Sequence, residues 1–234
     1  MFSRLHYFLT RTHVIRHHQS VLDAALYMAM INQVEGDFIE FGVYRGDRMI
    51  QAFKTAESIV KSVEARRDPV LRNASVANLK RMRFVGFDSF EGLPPPNEND
   101  IAAGQEAWLG RGEFAASLAD VKRRLHKKCD ESRMLLVEGW FEQTLNSQTK
   151  KELNLQRAAV VHIDCDFYES TVPALDFITD LLVDGSILIF DDWFLFCGRS
   201  DRGERKAFYE WQERHGMKLA PFIPGTAMSF IVER

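Results

Sequence analysis

Residues Ala158–Asp166 read AAVVHIDCD, an apolar run that turns abruptly into acids. A strand with one wet face alternates apolar and polar side chains, whereas a run without alternation suits a strand covered on both faces, as in a parallel sheet. Ser186–Phe190 (SILIF) repeats the pattern and ends in Asp191 and Asp192. Working outward, Asp37–Val43 (DFIEFGV, after Gly36), Arg83–Asp88 (RFVGFD) and Arg133–Val137 also read as strands, being rich in β-branched and other apolar residues. Between them lie stretches of helical period: Gly46 to about Val63, Glu113 to about Lys128 (with Phe114, Leu118, Val121 and Leu125), and Tyr168 to Leu182 with Gly185 as its stop. Gly203 to about His215 is a further helix. Strands separated by helices imply crossovers and an α/β, doubly wound, mostly parallel sheet. Lys218–Ile223 and Ala227–Val232, joined by Pro224-Gly225, predict a closing antiparallel hairpin, bringing the sheet to seven strands. Residues 1–35 form an N-terminal helical segment ahead of one domain over 36–234.

Composition sets bounds on what this domain does. Of 234 residues, 46% are hydrophobic and 27% charged, which is ordinary for a soluble globular chain. Thirty basic against 33 acidic residues give a net charge of −3 and no polyanion-binding signal, so no nucleic-acid partner is expected. No uncharged apolar run approaches the roughly 18 residues of a membrane span, so no membrane partner is expected either. Cys129, Cys165 and Cys197 are far apart with no Cys-x-x-Cys pair, which argues against a disulfide framework or thiolate zinc site and suits a reducing cytoplasm. Residues 1–22 contain no acid and include Arg4, Arg11 and Arg16, but no secretory apolar core follows. They read as an amphipathic helix with Phe2, Leu5, Phe8 and Leu9 on one face, a transit peptide being the alternative. Such a helix suits packing on its own domain or on a second subunit of a homo-oligomer.

In a doubly wound sheet, ligands bind beyond the carboxyl ends of the strands. The acids fall there: Glu40 late in the first strand, Asp88 ending the second, Asp164 and Asp166 ending the fourth, Asp191 and Asp192 ending the fifth. The first strand continues as Glu40-Phe41-Gly42-Val43-Tyr44-Arg45-Gly46, which is not the Gly-x-Gly-x-x-Gly of a dinucleotide cradle. An acid before a close-approach glycine suits an ammonium group, and a carboxylate at Asp88 suits two ribose hydroxyls. Amino acid plus nucleoside is S-adenosylmethionine. Taken singly, Gly46 is equally well a simple turn. Asp164-Cys165-Asp166 and Asp191-Asp192 form a second constellation. Carboxylates brought together repel unless a cation sits among them, and hard oxygen ligands suit Mg²⁺. Asp191-Asp192 alone could be a helix N-cap. His162 reads as a hydrogen-bonded core histidine, Lys122–Lys128 as a solvated helix face, and the irregular Leu93–Gly112 as a binding loop that, with the N-terminal helices, shapes the acceptor pocket.

The chain resembles the macrocin O-methyltransferase family, metal-dependent sugar O-methyltransferases of macrolide and aminocoumarin antibiotic pathways. The matching segments, in order, are VEGDFIEFGVYRG (34–46), FDSFEGLP (87–94), EGWFEQTL (138–145), HIDCDFYEST (162–171) and IFDDW (189–193). The resemblance implies a class I methyltransferase (Rossmann-like) fold, S-adenosylmethionine as donor and Mg²⁺ as cofactor. Carried over by motif, it makes Asp164, Asp191 and Asp192 the metal ligands and Asp166 the general base, with Asp164 also counted in the catalytic pair. Glu40 and Gly42, with Phe41, Val43 and Tyr44 beside them, would hold the methionine end, Asp88 the ribose, and Gly139 and Trp140 would lie near the adenine, with Ser89 also counted among the donor-binding residues. The family commonly continues its first motif with Gly-Gly-Ser where this chain has Gly46-Asp47-Arg48, so Arg48 is placed at the methionine carboxylate.

The chemistry so implied is Mg-dependent transfer of a methyl group to a hydroxyl of a small-molecule acceptor, a sugar or glycosylated natural product. Acceptor hydroxyls chelating the cation would be oriented and acidified by it, and Asp166 would take the proton. Alternatives are a catechol or other small-molecule acceptor, a metal-dependent glycosyltransferase using the Asp-x-Asp pattern, and a non-catalytic protein on the same fold. EFGVYRG and EGWF have no role in the glycosyltransferase, and the retained Asp residues argue against the non-catalytic reading.

Overall fold

A computed structural model describes residues 21–65, 76–100, 110–223 and 227–234. The strands are β1 (Asp37–Phe41), β2 (Phe84–Asp88), β3 (Met134–Glu138), β4 (Ala158–Ile163), β5 (Leu182–Phe190), β6 (Lys218–Pro221) and β7 (Met228–Glu233). They form one sheet in the order β3-β2-β1-β4-β5-β7-β6. β1 to β5 pair in parallel, while β7 runs antiparallel to β5 and β6 antiparallel to β7. Every residue of β1, β2 and β4 is buried, as their unbroken apolar runs require. The hairpin is present; its Pro224-Gly225 turn lies outside the described residues.

The helices are α1 (Val21–Ile31), α2 (Asp47–Ala65), α3 (Leu118–Lys128), α4 (Phe141–Thr144), α5 (Ser147–Glu152), α6 (Tyr168–Ile178) and α7 (Gly203–His215), with a short turn of helix over 76–81. Two apolar cores result. One joins Leu22, Leu26 and Met30 of α1 to Met49, Phe53 and Ile59 of α2, Leu125 of α3 and the sheet. The other joins Leu175 and Ile178 of α6 to Phe208 and Trp211 of α7 and side chains of β1, β4 and β5. Of the N-terminal segment assigned to 1–35, α1 therefore shares a core with the sheet. The stripe of Phe2, Leu5, Phe8 and Leu9 lies outside the described residues, as do residues 101–109 of the Leu93–Gly112 loop.

Two readings need correction. The helix expected to start at Glu113 begins at Leu118; Phe114 sits in a turn at φ 59. Backbone pairing takes precedence over helical period there, because Leu93 N donates to Glu113 O at 2.9 Å and Gly112 N to Leu93 O at 3.0 Å. The helix expected to run to Leu182 ends at Ile178, and Gly185 lies inside β5 rather than at a helix stop. The β4–β5 pairing jumps from Ala158↔Leu182 to Val160↔Ile187. Gly185 takes φ +85 in this irregularity, and Ser186 Oγ closes it by donating to Ala158 O and accepting from Val183 N. A glycine is required where φ is positive, so its sequence signal is the same in both settings.

Candidate active site

β1 has β2 on one side and β4 on the other, so the strand order reverses beside β1 and leaves a crevice beyond the carboxyl ends. Register then dictates which residues meet. Glu40 is the partner of His162, Phe41 of Ile163, and Ile163 of Phe190. One residue further on stand Gly42, Asp164 and Asp191, tied by Asp164 N to Phe41 O (2.9 Å) and Asp191 N to Ile163 O (3.0 Å). Gly42 has φ +88, and a Cβ there would lie 1.7 Å from the Asp164 carbonyl oxygen. Only glycine lets the β1 turn pass so close to the acidic turn after β4.

That acidic turn is completed by Asp166, at φ 60, whose N–H donates to Asp192 Oδ2 at 3.2 Å. Oxygens from Asp164, Asp191 and Asp192 lie within 4.8 Å of one another, close enough for one cation to touch all three. Crowding and burial show in their protonation. Burial, with the charges of Asp191 and Asp192, pushes Asp164 up to about 7. Asp166 and Asp192 are also raised, first by burial and then by their acidic neighbours. Asp191 is the exception, held below the usual range by His162 and, at 3.8 Å, by Arg48.

His162 is buried, as expected of a core histidine, but its partners belong to the site. Nδ1 lies 3.2 Å from Glu40 Oε1, and Nε2 makes a longer ionic contact of 3.9 Å with Asp191 Oδ1. Burial alone would lower its pKa; Asp191, Glu40 and Asp164 outweigh that and raise it to about 10. Ligand atoms of Glu40, His162 and Asp164 also lie within 4.8 Å of one another, a second buried cluster beside the three carboxylates. Burial raises Glu40 despite His162, and its Oε2 is buried without a partner among the described residues.

A cavity of about 370 Å³ opens over these groups. Of the residues predicted for the site, Gly42, Tyr44, Asp88, Ser89, Trp140, Asp164, Asp166, Asp191 and Asp192 line it, whereas Glu40, Phe41, Val43, Arg48 and Gly139 do not. Phe41 is wholly buried and stacks on Phe87 in the core, so only its backbone faces the crevice turn. Val43 N and Tyr44 N both donate to Asp88 Oδ2 at 2.7 Å, and Phe90 N to Asp88 Oδ1 at 2.6 Å. Asp88 thus shapes the β1 loop, with acceptor capacity left on Oδ1. Gly139 N donates to Asp88 O, which fixes Trp140 at the cavity edge. Ser89 Oγ donates to Gly92 O, and Tyr44 meets Phe114 edge-on at 5.5 Å.

Two buried acids were not singled out from the sequence. Asp100 accepts from Tyr168 N at 2.6 Å and so caps α6. Glu204, in the first turn of α7, accepts from Asp192 N at 3.1 Å, while its Oε1 is buried without a partner among the described residues. Burial, then Asp192, pushes Glu204 well above the usual carboxylate range. A signal existed for Glu204: it shares the buried face of Ala207, Phe208 and Trp211, at a spacing where an apolar residue is expected. Glu204→Ala strands the Asp192 N–H and is expected to cost about 1–3 kcal/mol. Glu204→Gln keeps an acceptor and retains most of that stability. Urea unfolding checks this, and equal loss in both variants would contradict it.

The sheet order, the glycine turn and the acid-ended strands define an α/β fold of the methyltransferase type. The macrocin-O-methyltransferase family model matches residues 9–220, and the chain belongs to that family. It is 27% identical over 187 residues to a tetracenomycin-C 4'-O-methyltransferase of Streptomyces olivaceus, covering 79% of this chain and 60% of that one. It is 28% identical over 195 residues to mycinamicin III 3''-O-methyltransferase of Micromonospora griseorubida, covering 81% of this chain and 65% of that one. The chain thus spans under two thirds of the length of both relatives. In fold it is similar to the O-methyltransferase NovP, with TM-score 0.64 at 24% identity over 91% of this chain and 78% of that one.

Proposed function

We propose that this chain transfers a methyl group from S-adenosylmethionine to a hydroxyl of a sugar or glycosylated natural product, with Mg²⁺ at Asp164, Asp191 and Asp192. One observation carries the reading: the β1–β4–β5 register sets the Gly42 turn against three converging carboxylates in a single cavity. The relatives support the acceptor class, since the Streptomyces olivaceus protein is named for methylating a rhamnosyl-tetracenomycin. The donor set fits a hard divalent cation, being all oxygen, with charges that resist crowding when no cation offsets them. Glu40 Oε2, buried without a partner among the described residues, would suit the ammonium of the donor's methionine end. When bound, the cation and the sulfonium would supply the acidified hydroxyl and the electrophilic methyl.

The chain's own residues do the rest. Asp166, raised in pKa and lining the cavity, takes the hydroxyl proton on its carboxylate. When the donor is bound, Asp88 Oδ1 would accept from the ribose, Trp140 would flank the base, and Arg48, 3.8 Å from Asp191, would pair with the methionine carboxylate. His162 fixes Asp191 and Glu40 relative to each other, coupling the donor and metal halves. Held in line, the reactants gain much of their acceleration from positioning. Incubation with methyl-labelled donor and glycosides bearing vicinal hydroxyls tests the reading. Label on the sugar is expected; label on a catechol alone would transfer the activity to that acceptor class.

Protonation gives a second test. Asp164, Asp166 and Asp192 have folded-state pKa values above those of the unfolded chain, so the folded form holds extra protons between about pH 4 and their raised values. Stability without a cation therefore falls as pH rises through that window. A cation displaces those protons and offsets the repulsion. Added MgCl₂ is expected to raise the melting temperature more at pH 8 than at pH 6, as read by thermal-shift assay. The reverse order would count against the metal site.

A further inference from the structure

Beyond the acids assigned above, the cavity continues past Leu93, Pro95 and Phe114 to Glu169 and Ser170. Every charged side chain among the described residues lining it is a carboxylate. Asp164, Asp191 and Asp192 converge on one point, Asp166 stands beside them, Asp88 holds the β1 loop, and Asp100 caps α6. Glu142, two residues past Trp140, and Glu169 remain.

Glu169 is held with care. Asn97 Nδ2 donates to its Oε1 at 2.6 Å, and Asn99 Nδ2 to the same oxygen at 3.2 Å. Asn99 is itself fixed, accepting from Lys206 Nζ through Oδ1 at 2.6 Å and from Gly203 N through its carbonyl at 3.2 Å. The stretch from Asn97 to Asp100 is thereby tied to both α6 and α7. Both amides fall on one oxygen of Glu169, and Oε2 accepts no hydrogen bond from the described residues. A rim carboxylate oriented on one oxygen and open on the other is an acceptor of hydrogen bonds that repels anions.

We infer, on the methyltransferase reading above, that Glu169 orients the methyl acceptor by accepting a hydrogen bond from a hydroxyl or ammonium of its sugar, and so selects neutral or cationic glycosides over phosphate-bearing ones. Glu169 is then a specificity-determining residue, and the Asn97–Asn99 clasp positions it.

The test uses the full chain saturated with S-adenosylhomocysteine and MgCl₂. Three probes are titrated by NMR: a methyl 6-deoxyhexoside, its amino-substituted analogue, and the same 6-deoxyhexose linked to thymidine diphosphate. The first two are expected to bind at least about tenfold more tightly than the third, the scale of one charge-assisted hydrogen bond. Glu169→Gln keeps an oxygen for both asparagine amides while removing the charge. It is expected to leave the melting temperature unchanged, weaken the first two probes by about tenfold, and narrow the gap to the third. A nucleotide-linked sugar bound as tightly as the glycosides, glycosides not bound at all, or a Glu169→Gln variant with unaltered preference overturns the inference. Failure of the methyltransferase reading shows separately, as no S-adenosylhomocysteine binding by the unmodified chain.

Discussion

Asp164→Ala is expected to lower methyl transfer by about 10³-fold or more while S-adenosylhomocysteine affinity stays within a few fold of the unmodified chain. The magnitude is that of the several kcal/mol a Lewis-acidic cation contributes to a transition state. The split between turnover and donor affinity follows from geometry. Asp164 supplies an oxygen to the three-carboxylate cluster, whereas the proposed donor half would rest on the Gly42 turn and Asp88, which holds the β1 loop. Asp191→Ala is expected to lose turnover equally, and to lose stability as well, because it takes from buried His162 one of its two ion-pair contacts. Kinetics with MgCl₂ present, beside calorimetry of the product analogue, check both variants. Near-unmodified rates in either would refute the metal role.

Gly42→Ala is expected to have the largest effect on the folded state. The new Cβ would sit 1.7 Å from the Asp164 carbonyl oxygen and 2.7 Å from its carbonyl carbon, at φ +88. Backbone, not a flexible side-chain tip, is what it meets. Relief requires the ends of β1 and β4 to separate, which breaks the Asp164 N to Phe41 O bond and moves Asp164 out of the acidic cluster. The expected cost is on the order of 4 kcal/mol or more, among the largest a single substitution produces. Urea unfolding reads the loss, and thermal shift with MgCl₂ reads the damage to the metal cluster. A variant with the unmodified midpoint and an intact cation response would show that the turn does not approach β4 this closely.

What the sequence disclosed, and what it hid, follows from range. The strand Ala158–Ile163 and the helix from Gly203 to about His215 are legible in the sequence, because a strand buried on both faces and a helix closed by Gly216 write their signals locally. The acid-ended strands placed Asp164, Asp166, Asp191 and Asp192 correctly at one end of the sheet, since parallel strands share that end. Gly185 was misread because positive φ looks alike in a helix stop and in a strand irregularity; only pairing with β4 distinguishes them. Phe114 kept helical spacing but was captured by backbone pairing to Leu93. His162 read correctly as a buried, partnered histidine, yet its link between Glu40 and Asp191 depends on register. Glu204 and Asp100 act through backbone N–H groups 12 and 68 residues away, contacts that no local pattern encodes.

The most direct measurement is calorimetric titration of the full chain with S-adenosylhomocysteine, with and without MgCl₂. Micromolar-class binding under both conditions is predicted, because the Gly42 turn and Asp88 stand outside the three carboxylates proposed to hold the cation. No binding under either condition would contradict the methyltransferase assignment of this site.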